Sequence, residues 1–137
     1  MKGKIFTPDE ANRMLPLVSR IADDIVAAYA HVNTVLGEFE AEKARAEADE
    51  SRMPILRQRD EDVAKALDEF QALVEEVEAL GGTVKDYEAG KIDFYGDVDG
   101  EIVYLCWQRG EASIAHWHSL EEGFSSRRVI PAPATAA

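Results

Sequence analysis

A single glycine, Gly37, occurs between Pro8 and Leu80, and apolar side chains recur through the first half of this stretch at intervals of seven residues. Two interleaved rows with this spacing are typical of a helix that packs lengthwise against another helix. The stretch is therefore predicted to be helical, and it makes up more than half of the chain. The rows are Ala11, Val18, Ile25, Val32 and Phe39, and Leu15, Ala22, Tyr29 and Leu36.

Two helices are predicted within this stretch. The first begins at Pro8, because proline is favoured in the first helical position. The stretch Ala41–Arg59 is dense in charge and contains Pro54, so the first helix is expected to end there and a connection to follow. A second helix then runs from about residue 59 to residue 80. Residues 8–80 are thus predicted to form a long antiparallel helical hairpin.

The first predicted helix is longer than the second, and its seam is apolar along most of its length. A single shorter helix leaves part of such a seam uncovered, and an uncovered apolar seam favours self-association. A homodimer that forms through the helices is therefore expected.

The composition changes at Gly81, because seven of the nine glycines and seven of the eleven aromatic residues lie from there onward. Short runs rich in β-branched and aromatic residues, separated by turn residues, predict an antiparallel β-meander over residues 82–118. The expected fold is a single α+β domain over residues 1–130, with a disordered tail over 131–137. The predicted strands are Thr83–Glu88, Lys91–Tyr95, Glu101–Arg109 and Ala112–His118, with a hairpin turn at Asp97–Gly100.

The net charge is −12, from 27 acidic and 15 basic side chains. Phosphate backbones repel such a protein, so a nucleic-acid partner is not expected. No apolar run approaches the roughly 20 residues that a membrane-spanning helix needs, and the N-terminus lacks the apolar segment of a signal peptide. The single cysteine cannot form an internal disulfide. A cytoplasmic protein without a membrane partner is the expectation.

Two histidines give the strongest chemical signal in the sequence. His116 and His118 are two residues apart on a predicted strand, so their side chains leave the same face. Two imidazoles with nearby carboxylates are typical of sites for a divalent transition metal. We predict Asp93, on a neighbouring strand, and Glu122, after the chain turns back, as oxygen ligands. The alternative is that both histidines are half-exposed polar residues beside aromatic ones.

Four further residues are candidates for binding a small-molecule ligand. Trp107 and Trp117 could stack on a ligand, although tryptophan more often packs between a sheet and helices. Arg127 could bind a carboxylate or phosphate, or form a surface ion pair. Glu111 lies at a predicted turn, too far along the strand to reach His118, so we expect it to pair with Arg127 or to cap the turn.

The position of Cys106 depends on the loop at Gly110–Glu111. An even-numbered loop pairs Cys106 with Ala115, away from the histidines, and a three-residue loop places it on the face of His116. The even-numbered loop is favoured, so Cys106 is expected to be a small buried hydrophobic residue. A nucleophilic cysteine–histidine pair is correspondingly disfavoured, and the sequence identifies no catalytic residue.

A series of short segments along nearly the whole chain resembles the bacterial and archaeal family known as domain of unknown function 2203. The resemblance is most specific between Lys85 and Arg127, and it includes His118 but not His116. It implies a small α+β protein of the prokaryotic cytoplasm and carries no established activity. The segments are Phe6-Thr7, Glu10-Ala11-Asn12, Leu15-Pro16, Lys85-Asp86, Gly90, Ile92-Asp93-Phe94, Leu105-Cys106-Trp107, Gly110-Glu111, Trp117-His118, Gly123-Phe124 and Arg127.

The sequence is therefore consistent with two functions. In the first, a self-associating helical hairpin bears a sheet whose polar and aromatic face binds a metal ion or a small ligand, and metal-assisted hydrolysis or a lyase step is the fitting chemistry for an enzyme. In the second, the protein is an interaction or scaffold module without a metal, and its histidines and tryptophans serve packing.

Overall fold

A computed structural model describes residues 4–131 and places two long helices before a five-stranded sheet. The predicted α+β class is confirmed, with an antiparallel helical hairpin followed by an antiparallel meander. All but the first residue of the predicted disordered tail, 131–137, lies outside the described residues. The elements are α1 (Pro8–Ala48), a 3₁₀ turn (Glu50–Arg52), α2 (Met53–Ala79), β1 (Gly82–Asp86), β2 (Lys91–Val98), β3 (Glu101–Gln108), β4 (His116–His118), a second 3₁₀ turn (Phe124–Ser126) and β5 (Arg128–Val129).

The first helix ends at Ala48, within the charged stretch 41–59 where its end was predicted, and the first eight residues of that stretch are helical. Glutamate, alanine, lysine and arginine are good helix formers, so a charged surface with this composition remains helical. The second helix begins at Met53 rather than near residue 59, because Pro54 occupies one of its first two positions, where its missing N–H costs nothing. The connection is therefore much shorter than predicted.

A buried carboxylate closes the tip of the hairpin. Glu42 is 2% exposed and accepts two hydrogen bonds from the Arg52 guanidinium, at 2.6 and 2.9 Å. Arg45 contributes a third contact at 3.4 Å. The hydrogen bonds from Arg52 hold the pKa of Glu42 below its ordinary value. This ion pair joins the last turns of α1 to the short connection.

The five strands form one sheet in the order β1-β2-β3-β4-β5, and each strand is antiparallel to the next. β2 extends beyond the predicted Tyr95 to Val98, so the hairpin turn is reduced to Asp99 and Gly100, both with positive φ. Aspartate–glycine pairs favour this two-residue turn. β5 was not predicted, because its two residues are too few to give a periodic signal.

The inner face of the sheet packs against both helices. Its side chains from β2 and β3 include Phe94, Leu105 and Trp107, which are at most 1% exposed and share one core with Val18 and Ile25 of α1. Within that core the backbone of Gly96 lies against the Leu105 side chain. A Cβ at this position would lie 2.3 Å from Leu105 Cγ, so only glycine fits. None of the described helices is long and apolar enough to cross a membrane.

The predicted strand Ala112–His118 is wrong in its first half, since only His116–His118 pairs with β3. Asn12 of α1 takes the place of a neighbouring strand. Its amide oxygen accepts from Ile114 N at 2.7 Å, and its amide nitrogen donates to Ile114 O at 3.0 Å. This contact between residues far apart in the sequence satisfies the backbone N–H and C=O of Ile114, so these groups need no hydrogen bonds from a neighbouring strand.

Candidate functional site

Three polar side chains meet on the outer face of the sheet, each from a different strand. Asp93 of β2, Cys106 of β3 and His118 of β4 are all buried, and one ligand atom of each lies within 4.8 Å of the others. His118 Nε2 is 3.1 Å from Asp93 Oδ2. Strand alternation explains the grouping: Asp93 is directly opposite Cys106, and His118 is opposite Tyr104, two residues before Cys106.

The backbone fixes the tautomer of His118. Its Nδ1 lies 2.9 Å from the carbonyl oxygen of Ser119, which can only accept, so Nδ1 carries a proton and donates. In the neutral ring, Nε2 is therefore the nitrogen with the free lone pair, and it faces Asp93 Oδ2. Two acceptors at this distance need a proton or a cation between them.

Burial governs the titration of the other two members. It raises the pKa of the Asp93 carboxyl, although the charges of His118 and Lys85 and hydrogen bonds from Cys106 and His118 act in the opposite direction. Burial, together with the charge of Asp93, raises the pKa of the Cys106 thiol to about 12. At neutral pH Cys106 is therefore a thiol and not a nucleophilic thiolate.

The predicted register of Cys106 is wrong. Cys106 lies opposite His116 and not Ala115, so it shares the face of both histidines. It is buried, as predicted, but among polar groups. The sequence left this register open as the alternative, and the observed connection, residues 109–115, is longer than either loop considered.

Asp93, Cys106 and His118 are called the triad below. Arg127 and Glu111 form an ion pair beside it. Arg127 donates two hydrogen bonds to the Glu111 carboxylate, at 3.0 and 2.6 Å, as one of the sequence alternatives predicts. Glu111 also caps the turn by accepting from Gln108 N at 2.9 Å. Burial alone would raise the pKa of Glu111, but Arg127 and Gln108 lower it overall. The positive charge of Arg127 also acts on Cys106 and lowers the pKa of its thiol, against the larger effect of burial.

The other two predicted metal ligands lie near the triad without joining it. His116 is on the same face, next to Cys106, and its Nδ1 is buried without a hydrogen-bond partner among the described residues. Glu122 contacts Arg128 at 3.4 Å and Ser119 N at 3.4 Å. It also lines a pocket that His118 and Asp93 border.

The two tryptophans lie on the inner face, away from this pocket. Trp107 is 1% exposed and donates from Nε1 to the Glu111 carbonyl at 3.0 Å. Trp117 is partly buried against the core, and the Arg128 guanidinium lies 4.8 Å from its ring centroid. The structure thus places both in packing positions and groups neither with the triad.

The pocket next to the triad has a volume of about 220 Å³. Besides Asp93, His118 and Glu122, it is lined by Tyr104 and by apolar side chains of the segment that follows β4. A hydrogen bond with Tyr95 and burial raise the pKa of Tyr104 to about 12, so its hydroxyl keeps its proton. The remaining lining residues are Lys85, Lys91, Leu120, Gly123 and Phe124.

The sequence profile of a family described as an uncharacterized conserved protein, DUF2203, matches residues 4–130. The chain belongs to this family, and the resemblance noted in the sequence is confirmed. No curated protein and no solved structure gives a significant match to the chain. The family description carries no activity, so the function has to be argued from the site itself.

Proposed function

We propose that this protein binds a divalent transition metal through Asp93, Cys106 and His118. The observation that carries the proposal is the orientation of His118, whose Nδ1–H donates to a backbone carbonyl while Nε2 faces a buried carboxylate. A metal-ligating histidine characteristically donates its second ring N–H in this way, which fixes the ring and raises the basicity of the ligating nitrogen.

The donor set supports a transition metal rather than magnesium or calcium. One sulfur, one nitrogen and one oxygen suit zinc, cobalt or iron, whereas magnesium and calcium prefer oxygen alone. A cation would also relieve the cost of burying a carboxylate whose pKa is already raised by burial. The positive charge of Arg127 next to Cys106 opposes the metal, but Glu111 neutralises it through two hydrogen bonds.

The spacing of the three side chains fits such an ion after a small contraction. Bond lengths of about 2.0–2.3 Å in a tetrahedral site hold donor atoms roughly 3.3–3.7 Å apart. The 3.1 Å between His118 Nε2 and Asp93 Oδ2 is about 0.2 Å below this range, and no pair of the three ligand atoms exceeds 4.8 Å, which is about 1 Å above it. Three protein ligands leave a fourth position for water or a ligand, as in catalytic zinc sites.

Cobalt titration of the purified protein tests the proposal. We expect one cobalt ion per chain, with the near-ultraviolet charge-transfer band that a thiolate ligand produces. Cys106→Ser should abolish the band, and His118→Ala or Asp93→Asn should weaken binding strongly, because each removes one of only three ligands. Elemental analysis of the protein as isolated would then identify the resident metal.

His116→Ala and Glu122→Gln are the matched controls, since both residues are candidate ligands close to the triad. We expect both variants to retain stoichiometric cobalt and the charge-transfer band. Loss of binding in His116→Ala with retention in Asp93→Asn would contradict the assigned triad. Absence of cobalt from a folded wild-type protein would contradict the metal site and favour the scaffold function.

We also propose that a second copy of the chain binds along the distal part of the hairpin. At 1.5 Å per residue α1 is about 60 Å long, yet its last residue in the main core is Ile25. Beyond it, Val32 and Val35 pack against Ala66 of the same chain. This α2 contact covers part of the seam that the sequence analysis left to a dimer.

Two leucines on this distal part remain exposed. Leu36 is 37% and Leu67 44% exposed, and each directly follows a residue packed between the helices, Val35 or Ala66. In an antiparallel pair, this position puts both leucines on one side of the hairpin. A second copy related by two-fold symmetry can cover them with the same two leucines.

Sedimentation analysis of Leu36→Glu tests the dimer. Wild-type protein at tens of micromolar is expected to sediment as a dimer, and the variant as a monomer, because the charge would be buried in the interface. Leu17→Glu is the control, since Leu17 is as exposed as Leu67 but belongs to the part of α1 whose residues Leu15 and Val18 pack in the main core. A monomeric wild type, or a variant that remains dimeric, contradicts the proposal.

A further inference from the structure

Two lysines converge on the small pocket beside the triad. The Lys91 Nζ lies 4.1 Å from the ring centroid of Phe124, and the Lys85 Nζ lies 5.0 Å from that of Tyr104. Neither lysine forms a salt bridge with a carboxylate of residues 4–131. The same holds for every lysine of residues 4–131, so what distinguishes Lys85 and Lys91 is that both line one pocket, where neither has a carboxylate partner.

The two carboxylates of the pocket do not supply that partner. Asp93 faces His118 at 3.1 Å, and Glu122 contacts Arg128 at 3.4 Å. With a divalent ion on the triad, the charge of Asp93 is also taken up by the metal. The pocket then presents two sources of positive charge, the metal and the two lysines.

We infer that this pocket binds a short dicarboxylate, with one carboxylate at the metal's fourth position and the other between Lys85 and Lys91. The inference rests on the proposed metal site for the first of these contacts. A volume of about 220 Å³ is below the range typical of pockets for drug-sized ligands, so the ligand has only a few carbon atoms.

The walls of the pocket favour an organic acid over inorganic phosphate. Leu120 and Phe124 border it, and they offer an apolar surface for methylene groups between the two carboxylates. The Phe124 ring is held in place by two cations, since the Arg127 guanidinium also lies 4.1 Å from its centroid. A phosphate ion would leave these apolar walls without a contact.

Calorimetric titration of succinate into cobalt-loaded and metal-free protein tests the inference. We expect saturable binding to the loaded protein, and at least about tenfold weaker binding to the double variant Lys85→Met/Lys91→Met, which keeps most of the unbranched side chain and removes both charges. The control Lys65→Met removes a lysine from α2, outside this pocket, and should bind succinate like the wild type.

The outcomes separate this inference from the metal proposal. Cobalt binding without succinate binding, or equal succinate affinity in the double variant, overturns the dicarboxylate pocket and leaves the metal site standing. Phosphate binding in a parallel titration, together with no measurable binding of succinate, also overturns it. Lysine-dependent succinate binding by a protein that takes up no cobalt supports the lysine contact and contradicts both the metal site and the carboxylate contact placed on it.

Discussion

Cobalt binding is expected to tighten at least about a hundredfold between about pH 6 and about pH 8. Cys106 holds its proton throughout this range, because burial and the charge of Asp93 raise its pKa to about 12. A metal binds the thiolate and must displace that proton. While the pH stays below the pKa, each increase of one pH unit therefore raises the apparent affinity about tenfold. The raised pKa of Asp93 acts in the same direction.

Competition with a chelator of known pH-dependent affinity measures this effect. The Cys106→Ser variant is the control, because its residual binding displaces no thiol proton. Its affinity should therefore rise about tenfold less per pH unit than the affinity of the wild type. Circular dichroism at each pH confirms that the protein stays folded. A wild-type affinity that does not change with pH would contradict Cys106 as a ligand.

The fold could be predicted well where local patterns decide it. The seven-residue repeat predicts α1, and the aspartate–glycine pair predicts the β2–β3 turn. Prediction failed where contacts between distant parts of the chain compete with a local preference. Residues 41–48 and 53–59 of the charged stretch belong to the helices, because they are rich in good helix formers and Arg52 closes the tip on Glu42. Residues 112–115 stay outside the sheet because Asn12 binds Ile114.

The candidate site was predictable in part for the same reason. Strand alternation places His118 and Asp93 on one face, and Asp93 was predicted as an oxygen donor from a neighbouring strand. Cys106 was assigned to the wrong register because loop length alone does not fix which residues pair. Its proximity to the histidines became visible only with the observed pairing of Cys106 with His116.

Replacing Trp107 with alanine is expected to lower the free energy of unfolding by about 3–5 kcal/mol. Trp107 is the largest of the fully buried side chains, and its indole fills the space between β3 and the helices. The variant also loses the hydrogen bond from Nε1 to the Glu111 carbonyl, which pins the connection between β3 and β4. Urea denaturation followed by circular dichroism measures the change.

Trp117→Ala provides the comparison, because Trp117 is only partly buried at the edge of the same core, and we expect a smaller loss. Under conditions where both variants are folded, cobalt should bind each with nearly wild-type affinity, since strand alternation points both tryptophans away from Cys106 and His118. A loss below about 1 kcal/mol for Trp107→Ala would contradict its place in the core. Destabilisation without loss of metal would show that the inner face of the sheet serves packing and the outer face serves binding.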